Sequence, residues 1–127
     1  MSDIARKESN ERLSRVVIHG DTVYVAGVTS SAPGGIAEQT RDVLAKIERY
    51  LEKAQTDKTR LLSAQIWLKD IERDFEGMNA VWAEWLPPRL MPTRATCEAK
   101  LASPELLVEI IVTAAARPVL IGVGAES

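Results

Sequence analysis

Two residues carry the strongest chemical signal in this sequence. Arg94 stands in Pro92-Thr93-Arg94, at the start of a segment that reads as a strand. Its guanidinium is a planar fork that grips a carboxylate through two parallel N–H···O bonds. The competing reading is an interface ion pair, or an exposed arginine at a strand start. Glu109 lies inside the apolar run Leu106-Leu107-Val108-Glu109-Ile110-Ile111-Val112. Burying a carboxylate costs several kcal/mol unless it is paired or hydrogen-bonded, so Glu109 needs a partner cation, an open cleft or a barrel lumen. In a cleft it could orient or deprotonate a water. At a subunit interface it would instead pair with Arg or Lys. Thr93 to Arg117 therefore reads as a two-stranded unit carrying Arg94 and Glu109 into a small-molecule site.

Other chemically capable side chains are weaker candidates. Strand alternation puts Arg94, Thr96 and Glu98 on one face and Ala95, Cys97 and Ala99 on the other. Thr96 could donate a hydrogen bond to a ligand beside Arg94, although a β-branched residue also simply favours a strand. Cys97 is turned away from Arg94 and reads as a small buried hydrophobe. One cysteine and one histidine, His19, exclude an intrachain disulfide and argue against Cys- or His-based metal sites. No metal or cofactor is expected. Gly34-Gly35 before a helix could approach an anion, but without a longer glycine pattern it reads as a loop. Trp67, Trp82 and Trp85 read as core or interface anchors.

The elements that must position these residues follow from periodicity. Val16-Val17-Ile18 and Thr22 to Ala26 flank Gly20-Asp21, a two-residue turn with Gly first, as a type II′ hairpin prefers. Ile36, Val43, Leu44, Ile47 and Leu51 form one stripe of a helix over about 36–54. The near-continuous apolarity from Leu61 to Leu68 predicts a strand covered on both faces. Asp70 or Asp74 could cap a second helix running to about Trp85, with Phe75, Met78, Trp82 and Trp85 on one face. Pro87-Pro88 stops it. Strands follow over 93–101 and 106–116. The order β-β-α-β-α-β-β predicts an α+β fold with two helices on one face of a mixed sheet. The apolar set on the other sheet face then calls for cover by another subunit. The 127 residues read as one domain, with a core over about 12–117 and a tail over 118–127 that is either an edge strand or disordered.

Composition bounds the partners. A formal charge of −2, with Lys and Arg scattered along the chain, argues against nucleic acid or an anionic membrane. No apolar run approaches the roughly 20 residues that span a bilayer. No secretory signal is visible at Met1-Ser-Asp-Ile-Ala-Arg-Lys-Glu, so the chain is expected to be cytoplasmic.

The element order, the Gly27-ended second strand, Trp67-Leu68-Lys69-Asp70, Asn79-Ala80-Val81-Trp82, Pro92-x-Arg94 and Val108-Glu109-Ile110 together resemble the RidA/YjgF family over about 12–117. The resemblance implies a chorismate-mutase-like α+β fold and a homotrimer whose sheets line a barrel-like core, with ligand sites in the clefts between subunits. It also implies hydrolysis of 2-imino acids or their enamine tautomers to a 2-keto acid and ammonia. Arg94 would bind the substrate carboxylate and Glu109 would place a water. Some positions differ from the archetypal deaminases. Leu13 stands where they carry a ligand-lining tyrosine, Thr96 where they carry a cysteine, and Ala26 where they carry a serine. The expected site is thus Glu109 as the catalytic group with Arg94, Thr96 and Leu13 binding substrate. The alternative is a non-catalytic keto-acid-binding protein using the same cleft. A third reading, a chaperone or translation-related interaction protein, gains nothing from the acidic charge.

Overall fold

The computed structural model describes residues 3–118. Six strands and two α-helices follow one another as β1 (Ile4–Ser9), β2 (Ser14–His19), β3 (Thr22–Val28), α1 (Ile36–Lys53), β4 (Leu61–Leu68), α2 (Ile71–Trp85), β5 (Thr93–Glu98) and β6 (Val108–Ala115). Both helices pack on one face of a single sheet with the order β1-β2-β3-β6-β4-β5. This is the expected α+β architecture, with one strand more than the sequence reading.

The β2–β3 hairpin forms as its turn chemistry dictates. Gly20 takes φ +61° while Asp21 stays at negative φ, as a type II′ turn requires. Helix α1 buries Val43, Leu44, Ile47 and Leu51 against the sheet. Asp70, not Asp74, caps α2 by accepting from the Arg73 amide. Asp74 is buried on the helix and pairs with Arg73. Met78 and Trp82 face the core as expected, but Phe75 is 38% exposed. Phe75 lies instead towards Arg94 of the edge strand β5.

Three expectations are corrected. The first concerns β1, an edge strand absent from the sequence reading, which pairs antiparallel with β2 from Ile4↔His19 to Ser9↔Ser14. The second concerns the unit from Thr93 to Arg117. Strands β5 and β6 are not paired with each other: β4 lies between them, parallel to β5 and antiparallel to β6. The third concerns β4, whose alternate residues Ala64, Ile66 and Leu68 are buried while Leu62 and Gln65 are exposed. Among the described residues β4 is covered on one face only. The expected tail over 118–127 lies almost wholly outside the described residues.

The connection from β5 to β6 crosses the end of β4, and a buried amide pins it there. Gln39 of α1, 3% exposed, donates to the Glu105 carbonyl at 2.9 Å and accepts from the Leu107 amide at 2.9 Å. The Lys69 amide donates to the Leu107 carbonyl and the Ala99 amide to the Leu68 carbonyl. Gln39→Leu would keep the volume and strand two backbone groups. We expect a loss of about 2–4 kcal/mol in denaturant unfolding, since each buried unpaired group costs roughly 1–3 kcal/mol. A loss below about 0.5 kcal/mol, the scale of ordinary surface changes, would show that the clamp does not hold the crossing.

Candidate functional site

Ladder partners share a sheet face, which fixes where each candidate side chain lies. Arg94 is opposite Ala64, and Ala64 is opposite Val112. Both partners are buried in the helix-covered core, so Arg94 is on the helix side. Glu109 is opposite Trp67, which is opposite Cys97. That row is on the other face, which carries no layer within the described residues. Arg94 and Glu109 are therefore on opposite faces, two strands apart, a lateral separation of about 10 Å. One chain does not converge them.

Arg94 is held from above by α2. Its Nη1 donates to Asn79 Oδ1 at 2.7 Å. The guanidinium carbon lies 5.7 Å from the Trp82 ring centroid and 5.9 Å from that of Phe75. Cations over aromatic faces are favourable by about 0.5–2 kcal/mol depending on desolvation. Burial pushes the Arg94 pKa below its ordinary value, yet a guanidinium stays charged at neutral pH. No carboxylate among the described residues forms an ion pair with it. Among the described residues, the ion-pair reading of Arg94 has no partner. Asn79→Ala would remove the one side-chain hydrogen bond that fixes the fork. We expect about a tenfold loss in carboxylate affinity, measured by calorimetry, because a hydrogen bond to a charged group contributes roughly 1.5–3 kcal/mol. Unchanged affinity would mean the aromatic pair alone orients Arg94.

Glu109 is half-buried on the open face and makes no hydrogen bond or ion pair among the described residues. Its carboxylate lies against the Gly27 backbone, where an added Cβ would be 2.0 Å from Oε2 and 3.0 Å from Cδ. Gly27 sits in a β-bulge, where the β3–β6 register shifts between Val25 and Val28. Bulges bend a strand and re-aim its neighbours. Here the bulge and the missing side chain together open the space that Glu109 fills. Gly27 was read from the sequence only as a strand end, so its role as the floor under Glu109 was missed.

The remaining candidates fall elsewhere. Thr96 shares the Arg94 face, as alternation requires, but its Oγ1 is buried without a hydrogen-bond partner. It faces the core row of Ile66 and Ile110. Leu13 is 42% exposed at the β1–β2 turn, where the Asn10 side-chain oxygen accepts from the Arg12 and Leu13 amides. That turn is at one sheet edge and Arg94 at the other, across five strand spacings or roughly 24 Å. Cys97 points away from Arg94 but is exposed, not buried as its type suggested. It shares the open face with Trp67 and Glu109. His19 is exposed with Nε2 3.4 Å from Asp3. The N-terminus of α1 is occupied by its own chain: the Gly35 amide donates to Glu38 at 2.9 Å, and this bond holds the Glu38 carboxyl below its usual range. Among the described residues no group of three His, Cys, Asp or Glu is placed to hold a metal. No described helix is long and apolar enough to cross a membrane.

Two helices on one face of a mixed six-stranded sheet, with a clamped arginine at one edge and, on the opposite face, a glutamate with no partner among the described residues, define a small α+β protein of the YjgF type. The sequence profile of the endoribonuclease L-PSP family matches residues 4–116, and the chain belongs to that family, the RidA/YjgF family. It is 41% identical to a RutC family protein of Haemophilus ducreyi, over 88% of this chain and 96% of that one. It is 39% identical to the RutC family protein YoaB of Escherichia coli K12, over 88% and 97%. Its fold superposes on the crystal structure of NMB1025, a member of the YjgF protein family from Neisseria meningitidis. That match has a TM-score of 0.88 and 39% identity, covering 91% of this chain and 97% of that one.

Proposed function

We propose that this chain is a cofactor-free hydrolase that converts a small 2-imino acid, or its enamine tautomer, to a 2-keto acid and ammonia. The observation that carries the reading is Arg94. A part-buried cation, fixed by Asn79 and two aromatic rings and lacking an acid partner among the described residues, is suited to receive a carboxylate from a ligand. Glu109 supplies the second element, an unpaired carboxylate on a face that a second copy of the chain would cover. In a homotrimer, Arg94 of one copy and Glu109 of another can flank one cleft, which resolves their separation within the monomer. Leu13, at the opposite sheet edge, would join the same cleft only from the neighbouring copy.

Chemistry in such a cleft requires little. Arg94 fixes the substrate carboxylate and draws electron density from the adjacent C=N carbon. A water held by Glu109 adds to that carbon, the proton passes to nitrogen, and the carbinolamine collapses to ketone and ammonia. An imine is reactive enough that positioning supplies most of the gain. The test generates imino acids in situ with an amino-acid oxidase and follows keto-acid release. Release no faster with the protein than without it, across several imino acids, would exclude the hydrolase.

A second reading is favoured by Thr96 and Leu13. Neither presents an accessible polar atom, so proton transfer rests on Glu109 alone. The same cleft would then bind a keto acid without turnover. Thermal stabilisation by 2-ketobutyrate, together with no imine turnover, would establish this reading; no response to any small carboxylate would remove it. The ribonuclease in the family description gains no support from a chain with formal charge −2.

A further inference from the structure

A cavity of about 350 Å³ lies between α1 and the β1–β3 end of the sheet, and neither Arg94 nor Glu109 lines it. Arg15, Lys46, Arg49 and Lys53 line it, against the single carboxylate of Glu8, with Tyr50 as its aromatic wall. The cluster follows from the sequence of α1: Lys46, Arg49, Tyr50 and Lys53 are at helical spacing, so one stripe delivers all four. Lys46 is anchored to the Thr29 carbonyl at 3.0 Å and lies 3.5 Å from Asp42. The Ser30 hydroxyl, then Lys46, holds the Asp42 carboxyl below its usual range. Lys53 pairs with Glu8 at 3.3 Å, and Glu8 adopts φ +56° to project from the β1 edge. Arg15 reaches only a carbonyl, that of Gly27, at 3.4 Å. Arg49 acts on Asp42 through space and makes no hydrogen bond or ion pair among the described residues.

We propose that this cavity is an anion site for a small phosphate-bearing molecule, with Arg49 and Arg15 as its forks and Lys46 and Lys53 as anchored point charges. In a chain of net negative charge, four cations gathered in one concavity need a reason, because they repel one another there. Concave walls focus their field and raise the local concentration of an anion. A monocarboxylate would satisfy one fork. A phosphate monoester or diphosphate carries up to two or more charges and several acceptor oxygens, which matches two forks and two ammonium groups. The volume suits a small metabolite, as ligand pockets run from roughly 300 to 1,000 Å³. The cations form one pit rather than a stripe along the surface, which favours a compact ligand over a nucleic-acid backbone.

The test uses the full-length protein labelled with ¹⁵N and titrated with pyrophosphate and with ribose 5-phosphate at constant ionic strength. Saturable shifts centred on Thr29, Lys46, Arg49 and Lys53, with smaller ones at Asn79 and Arg94, are expected. Arg49→Gln, an exposed change, should weaken pyrophosphate by about tenfold, as losing a charge-assisted contact does. Lys53→Gln should weaken it as well, and imine turnover should be unchanged in both. No saturable shift below about 10 mM would overturn the site, as would shifts centred on Arg94, or affinity in both variants unchanged from that of the unsubstituted protein. Tighter binding of a single-stranded RNA oligonucleotide, with a steep salt dependence, would overturn the small-molecule assignment.

Discussion

Arg94→Leu is expected to abolish carboxylate binding while leaving the fold as stable as before, or more so. The two effects separate because they come from different states of the site. A bidentate carboxylate contact contains two charge-assisted hydrogen bonds, each contributing roughly 1.5–3 kcal/mol, so its loss should weaken 2-ketobutyrate by at least about 100-fold. In the free chain the guanidinium pays desolvation under α2, as its lowered pKa records, and receives in return one bond to Asn79 and two aromatic contacts. Replacing a buried charge by an apolar group of similar volume is often neutral or stabilising. Leucine would pack against Phe75 and Trp82 without needing a partner. Arg94→Lys is the sharper control: it keeps a cation but loses the planar fork, and should recover only part of the affinity. Melting temperature and calorimetric affinity, taken on the same samples, decide the matter. A melting temperature lower by several degrees with binding intact would make Arg94 a structural residue.

How much of this was legible in the sequence depends on what set each feature. The β2–β3 hairpin and both helices were readable because local chemistry decides them: Gly20-Asp21, the 3.6-residue stripes, Asp70 and Pro87-Pro88. Strand β1 was not. Its sequence Ile-Ala-Arg-Lys-Glu-Ser is exposed along nearly its whole length, and edge strands carry charge to discourage further pairing, which erases the alternation that reveals a strand. The placement of β4 between β5 and β6 was hidden for a different reason. Nine residues separate β5 from β6, which invites a hairpin reading, but consecutive strands are neighbours only about two-thirds of the time. What carries the chain across β4 is the Gln39 side chain, sixty-odd residues distant, and no local pattern announces such a clamp. For the site, Glu109 stood out as a carboxylate in an apolar strand, and Arg94 as a carboxylate-binding fork at a strand start. That they occupy opposite faces followed only from the register through β4. The consequence is physical: a site that uses both must be built from two copies.

Gly27→Ala should be the most damaging single methyl group that can be added near the site. Its Cβ would stand 2.0 Å from Glu109 Oε2 and 3.3 Å from Cγ, so the carboxylate must leave its seat. The backbone of β3 cannot yield easily, because Val25 and Val28 on either side are buried in the core and paired to β6. Glu109 therefore moves, and a displacement near 1 Å in a positioned group costs about 100-fold in rate. The fold should also lose roughly 1–3 kcal/mol, the usual cost of overpacking. Both losses can be traced to one contact by a double-mutant cycle with Glu109→Ala. If the clash is with Glu109, truncating that side chain returns the stability lost to Gly27→Ala, and the two changes are strongly non-additive. Activity does not return, since the carboxylate is then absent. Glu109→Gln keeps the shape and removes the charge; with Gly27 intact it should fold normally and turn over slowly. Additive stability effects in the cycle would show that Gly27 matters for its backbone alone, and that the bulge, not the glutamate, is what the glycine serves.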